Sequence, residues 1–278
     1  MLAALKNHWS EYLIEAFGLG IFMLSASVFG VLLEHPSSLL RQTITDAFAR
    51  RVLMGVAMGL TAISLVYSPW GQRSGAHLNP ALTFTFFRLG KVARPDAIFY
   101  AVAQFAGGSL GALIAAFLLG SWLSHPSVNF VATVPGTAGI FPAFGAEVFI
   151  TFGLMYTVLT ISNHARLSRF TGLFAGALVA IYIAFEAPVS GMSLNPARTF
   201  ASAFSGNIWT AIWIYFTAPP IGMLLAAEAY VRGAGTRKIF CAKLHHHHDK
   251  RCIFRCNFAE MNERNDTFFT SKLGEKTL

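Results

Sequence analysis

Two copies of one tripeptide and a lone arginine are the residues of this chain whose types and spacing could do chemistry. Asn79-Pro80-Ala81 and Asn195-Pro196-Ala197 lie 116 positions apart, inside "GAHLNPALTF" and "GMSLNPARTF". Asn is a favoured N-cap, and Pro suits the first helical position because its missing N–H costs nothing there. Each tripeptide therefore reads as a helix start. An Asn held by its own cap can aim amide N–H groups at a polar solute, and the positive end of the helix dipole points the same way. Arg198 follows the second Asn by three residues, and between Arg169 and Arg232 its only charged companions are Glu186 and Glu228. A lone charge in so apolar a stretch faces a polar cavity or a solute path, or is paired with a carboxylate for folding alone. A third constellation sits in "CAKLHHHHDKRCIFRC" (241–256), where Cys241, His245, His246, His247, His248, Cys252 and Cys256 are good soft-metal ligands. Its spacing matches no named zinc motif, so a metal ion there competes with a plain solvated basic tail.

The elements that must position these residues are membrane helices. The chain has 278 residues, 54% hydrophobic and only 12% charged, against about 25% charged in an ordinary soluble domain. Six stretches are long and apolar enough to span a bilayer, at about 11–33, 50–69, 97–120, 143–163, 169–188 and 207–231. The first is too long for a signal-peptide core and no cleavage site follows it, so it reads as a retained helix. Segment 124–142 is rich in Pro, Gly and Ser and reads as a loop. From Arg232 onward there are ten Lys/Arg against five Asp/Glu, while residues 1–231 hold eleven against eight. The net charge of +8 is therefore largely a property of the tail. No nucleic-acid motif accompanies it. The tail carries all three cysteines, has no apolar period, and is expected to be mobile or ordered only by a ligand.

Two shorter apolar pieces, about 79–88 and 195–204, are too short to span. One follows the second long helix and the other follows the fifth, and each opens with the repeated tripeptide. The chain is thus a tandem repeat of three helices plus one half-length helix, repeat one at about 10–120 and repeat two at about 143–232. Three is odd, so the second copy enters the membrane from the opposite side. Paired interrupted segments in such an inverted repeat point to a permeation or binding site. The irregular "GAHL" and "GMSL" cannot face lipid; lining a cavity, the carbonyls of Gly75, Ala76, His77 and Leu78, and of Gly191, Met192, Ser193 and Leu194, would form a ladder of acceptors. Most Lys/Arg outside the spans fall on one side when both ends are cytoplasmic, although Arg41, Arg50 and Arg51 go against this.

With these motifs, together with the Gln of "YAVAQFAGG" and the Pro of "APPIG", the sequence resembles the aquaporin, or major intrinsic protein, family over roughly residues 10–231. The resemblance implies an all-α membrane fold of six transmembrane helices and two half-helices. It divides the chain into a channel domain at 1–232 and a cytoplasmic Cys/His-containing tail at 233–278. It implies a passive channel, not an enzyme, for water and small neutral solutes across a plasma or bacterial inner membrane. Family members assemble as homotetramers with one pore per subunit and need no cofactor. In the family, Asn79 and Asn195 match the central pair that interrupts a proton-conducting water chain, and Arg198 matches the outer constriction, where it repels cations and protons. The remaining constriction positions fall on Met192, on Ile183, and on Met58 or Gly59, depending on how "VYSPWGQRSGAH" is aligned. Glu11 and Glu147 match buried carboxylates that brace the pore loops, with Glu15 competing for the first role.

This chain departs from a strict water channel. Ile183 stands where water channels usually have His, and Ile neither donates nor accepts a hydrogen bond. A ring of Met, Ile, Met and Arg is apolar on three sides, and Met adapts its shape readily. Thr199, where glycerol channels usually have Asp, and Ala203 pull the other way. Glycerol, urea, ammonia, peroxide or a neutral metalloid hydroxide therefore stand beside water as solutes. A coupled secondary transporter is the competing class, disfavoured because Glu11, Glu15, Glu147 and Glu186 lie near predicted helix ends. His77 could gate by protonation or serve as a fixed hydrogen-bonding residue.

Overall fold

The computed structural model describes residues 1–261. Among them, six helices are long and apolar enough to cross a membrane. We number the eight pore-forming helices α1 (Leu2–Glu34), α2 (Ala47–Tyr67), α3 (Pro80–Arg88), α4 (Arg94–Leu119), α5 (Ile140–Ser162), α6 (Thr171–Phe185), α7 (Pro196–Gly206) and α8 (Ile212–Ala234). A 3-10 turn at Ser168–Phe170 extends α6 into a full-length span. Helix α1 begins at Leu2, well before the expected start at 11, so its first turns project from the membrane face that also carries the tail. Loop 124–142 is a loop in the main, with a 3-10 turn at Asn129–Val131.

Helices α1 and α4 pack together in repeat one, α5 and α8 in repeat two, and α2 against α6 across the repeats. Small residues set these distances. A Cβ on Gly107 would lie 2.0 Å from the carbonyl oxygen of Ala16, so the α1–α4 crossing admits nothing larger than glycine. The outward faces carry Phe117, Phe141 and Phe149, all strongly exposed, which suits lipid rather than water.

The half-helices α3 and α7 start where the repeated tripeptides stand. Asn79 caps α3 through its Oδ1, which accepts from the Ala81 N–H at 2.9 Å. Asn195 caps α7 by accepting from the N–H groups of Ala197 at 3.0 Å and Arg198 at 3.3 Å. Helix α3 packs on α4 and α8, and α7 packs on α4 and α8 in turn, so both are sheathed by protein.

Of the two expectations for the tail, mobile or ordered only by a ligand, the first does not hold for residues 239–254. Ile239, Phe240, Cys241, Ala242, Leu244 and Phe254 are buried against the channel. The backbone there is irregular, which is why no period announced it. The final part of the expected tail domain, 262–278, lies outside the described residues.

Candidate functional site: a pore between two half-helices

The two loops that lead into α3 and α7 share one backbone, offset by 116 residues. Gly75 and Gly191 have φ of +98° and +81°; Ala76 and Met192 have +54° and +52°; Leu78 and Leu194 have +48° and +59°. Left-handed conformations cost a non-glycine residue of order 1 kcal/mol or more each and persist only where their surroundings enforce them. The enforcing groups are carboxylates. Glu147 Oε1 accepts from Ser190 Oγ at 2.7 Å and from the Ser193 N–H at 2.6 Å, and its Oε2 accepts from the Leu194 N–H at 3.0 Å. In the first repeat this place belongs to Glu15. Its Oε1 accepts from Ser74 Oγ at 2.8 Å and the His77 N–H at 3.0 Å; its Oε2 accepts from the Leu78 N–H at 2.6 Å and Gln104 Nε2 at 2.7 Å. Glu11 does not brace the loop. It lies one helical turn nearer the membrane face and pairs with Arg73 at 3.0 Å.

Further supports repeat with the backbone. The hydroxyls of Tyr100 and Tyr215 donate to the carbonyls of Ser74 and Ser190. Thr83 Oγ1 lies 3.0 Å from His77 Nδ1, and Thr199 Oγ1 lies 2.6 Å from Ser193 Oγ. The serine pair was visible in the sequence as the shared residue before each "G" of "SGAHLNPALTF" and "SGMSLNPARTF".

The two Asn side chains cross-brace the loops. Asn79 Nδ2 donates to the Leu194 carbonyl at 2.8 Å, and Asn195 Nδ2 donates to the Leu78 carbonyl at 2.7 Å. Each amide has two hydrogens, so one on each side remains for a solute. Three carbonyls of the expected ladder are thus already engaged: those of Leu78 and Leu194 in this brace, and that of Gly75, which accepts from the Leu244 N–H of the tail at 3.2 Å.

A single cavity of about 330 Å³ runs past both loops. Met58, Ile183, Met192, Arg198, Asn79 and Asn195 all line it. Gly59 does not: a Cβ there would meet the Gly176 carbonyl at 2.6 Å, so this face of α2 is pressed onto α6 and Met58 takes the lumen. The Arg198 guanidinium donates through Nη1 to Thr133 Oγ1, contributed by the loop between α4 and α5. No sequence signal marks Thr133.

A profile of the family described as Major intrinsic protein matches residues 3–230. The chain belongs to the major intrinsic protein family. Among similar relatives, aquaporin NIP2-2 of Zea mays is 38% identical over 176 residues, 63% of this chain and 58% of the relative. Aquaporin NIP6-1 of Arabidopsis thaliana is 34% identical over 187 residues, 67% of this chain and 59% of the relative. The chain thus spans less than two thirds of the length of these relatives. Among solved structures, the aquaglyceroporin from Plasmodium falciparum superposes with a TM-score of 0.65 at 20% identity, covering 80% of this chain and 95% of that one, a likeness of fold.

Beyond the region that resembles the family, the structure gathers part of the Cys/His set. The ligand atoms of Cys241, His246, Cys252 and Cys256 lie within 4.8 Å of one another. The other three histidines are elsewhere. His247 Nε2 is 2.9 Å from Ser168 Oγ, His248 Nε2 donates to the His245 carbonyl at 3.0 Å, and the His245 ring packs on Tyr67. The four gathered groups perturb each other. Hydrogen bonds from Cys241 and Cys252 hold the Cys256 thiol far below its ordinary range. Burial works against charge on His246, yet hydrogen bonds to Cys252 and Cys256 outweigh it and hold the imidazole up at about 9.

Proposed function

We propose that this chain is a passive channel for small neutral solutes wider than water, glycerol and urea among them, that excludes ions and protons. The observation that carries the reading is the cavity lined jointly by Asn79, Asn195 and Arg198, with Met58, Ile183 and Met192 also on its wall. The opposed starts of α3 and α7 put two positive dipole ends at one point of the path, which disfavours cations. A solute oxygen that accepts from both Asn amides there cannot also relay a proton. Arg198, fixed by Thr133, offers donors at the constriction and repels cations. The methionines and Ile183 present no competing polar groups, so the carbon skeleton of a polyol can pass. The relatives named aquaporins and the fold-mate named an aquaglyceroporin fit this reading.

The same reading places both ends of the chain on the cytoplasmic side. The basic tail and the first turns of α1 share one face, and Arg251 Nη1 donates to the Asn7 carbonyl at 3.2 Å. Of the contrary charges on the other face, Arg50 is neutralised by Glu34 at 3.1 Å. The exposed apolar outer faces also suit a homotetramer within the bilayer, one pore per chain.

Stopped-flow light scattering on proteoliposomes kept in a metal chelator tests the solute. Shocked with sucrose, they should shrink faster than empty vesicles and stay shrunken. Shocked with glycerol or urea, they should shrink and then re-swell rapidly. Fast shrinkage that persists in every osmolyte would show a water-only pore and refute the solute reading.

A further inference from the structure

The tail crosses the cytoplasmic mouth of the pore and makes specific contacts with the first pore loop. Leu244 is one of the residues lining the cavity itself. His77 donates through Nε2 to the Ala242 carbonyl at 2.8 Å, and the Phe254 ring stacks on His77 with centroids 5.1 Å apart and planes 3° from parallel. Buried Lys243 donates through Nζ to the Gln72 carbonyl at 2.8 Å. Around this point the tail is tied to the neighbouring loops: Phe240 N–H to Asn163 Oδ1 at 2.7 Å, and Arg255 N–H to the Lys91 carbonyl at 2.9 Å.

The segment that does this has almost no regular structure, so something other than a helix or sheet must hold its shape. The Cys/His cluster sits where that support is needed. Cys241 comes from the outgoing limb, His246 from the bend, and Cys252 and Cys256 from the returning limb. Cys241 Sγ and Cys252 Sγ are 3.6 Å apart, and Cys256 Sγ is 3.0 Å from His246 Nε2. A tetrahedral zinc with bonds of about 2.3 Å to sulfur and 2.0 Å to nitrogen separates its sulfur atoms by about 3.8 Å and its sulfur and nitrogen atoms by about 3.5 Å. The sulfur pair is near that value and the sulfur–nitrogen pair shorter than it, with all four ligand atoms within 4.8 Å of one another; the sulfur separation is far from the roughly 2.05 Å of a disulfide. Three cysteines and one histidine are one of the ligand sets of structural zinc.

We propose that Cys241, His246, Cys252 and Cys256 bind one zinc ion that folds the tail into a plug, with Leu244 and Phe254 seated at the pore mouth, so that zinc occupancy shuts the channel. The plug rests on the channel reading above; the zinc site does not. Zinc links both limbs of the hairpin, as structural zinc does in other small folds that lose their shape without it. With the zinc removed, the two limbs lose their link; hydrogen bonds and the apolar contacts of Phe240, Leu244 and Phe254 alone then hold the plug, and it can leave the mouth.

The test uses the full chain. Purified protein titrated with zinc alone should bind one ion per chain, measured by equilibrium dialysis and elemental analysis. Cys252→Ser and Cys256→Ser should each weaken that binding at least tenfold, and His248→Ala should leave it unchanged. Glycerol re-swelling of proteoliposomes should be slow with zinc and several-fold faster with a chelator, and both cysteine variants should be fast in either condition. Leu244→Glu keeps all four ligands but cannot bury its carboxylate in the mouth, so it should bind zinc and conduct regardless. If Leu244→Glu conducts no faster than empty vesicles, the channel reading fails. If it conducts and the wild type with zinc conducts equally fast, the plug is overturned. Failure of the wild type to bind zinc overturns the site.

Discussion

At the scale of single residues, two buried carboxylates, Glu15 and Glu147, hold the pore loops, and Arg198 is held on the cavity wall. Glu15→Ala would strip acceptors from the Ser74 hydroxyl, the Gln104 amide and the N–H groups of His77 and Leu78. An unsatisfied buried donor costs about 1–3 kcal/mol, so the melting temperature should fall by more than about 5 °C and solute flux should be lost. Glu11→Ala removes an ion pair in which Glu11 is buried but Arg73 is 44% exposed, so the freed guanidinium can turn to water and no buried loop donor is stranded; its melting temperature should fall less than that of Glu15→Ala. Equal losses for the two variants would contradict the assignment. Sequence could not choose between these glutamates, because residues four apart lie on one face of α1. What decides is depth: the loop at 76–78 meets the helix one turn further from the membrane face. The choice between Met58 and Gly59 was closed to sequence for a similar reason, since only the contact of Gly59 with Gly176 on α6 turns Met58 to the lumen. Ile183→His adds a ring that donates and accepts hydrogen bonds to the constriction. Glycerol re-swelling should slow at least several-fold while shrinkage in sucrose persists; unaltered glycerol flux would remove Ile183 from the set of selecting residues.

At the scale of elements, the inverted repeat was legible because one offset of 116 residues relates Ser74, Gly75, Asn79, Pro80 and Thr83 to Ser190, Gly191, Asn195, Pro196 and Thr199. Pattern reading found both half-helices within about a residue of their starts, since Asn and Pro leave little choice about where a helix begins. It missed the start of α1, whose first turns are polar enough to read as a tail. Helix contacts, by contrast, are set by shape. Gly107→Ala would drive a Cβ against the Ala16 backbone, and the α1–α4 pair cannot separate without disturbing Glu15 and the first loop. That variant should lose thermal stability by at least the ~1–3 kcal/mol of ordinary overpacking. A Cβ on Gly145 of α5 would meet nothing within 4 Å, so Gly145→Ala should be neutral or stabilising by up to about 1 kcal/mol. Paired melting curves of the two variants in detergent check this, and a harmless Gly107→Ala would mean the helices are not packed as described.

At the scale of the whole molecule, the membrane class was legible in composition, but the packing of the tail against one end of the pore was not. The tail reads as polar because its buried residues, Ile239, Phe240, Leu244 and Phe254, are spaced irregularly among charges. A chain ordered by what it lies against carries no period of its own. The cysteines and histidines were visible as ligand types, yet their grouping into Cys241, His246, Cys252 and Cys256 depends on the turn at 245–248, which no spacing rule supplies. We propose a neutral-solute pore with one mouth covered by its own C-terminal segment. The central claim is that solutes wider than water cross while protons do not. The most direct measurement follows both at once, in proteoliposomes loaded with a pH-sensitive dye, treated with chelator and shocked with glycerol. Glycerol should enter several-fold faster than into empty vesicles while the proton leak stays equal to theirs. Glycerol entry no faster than in empty vesicles, or a proton leak that rises with it, would contradict the account.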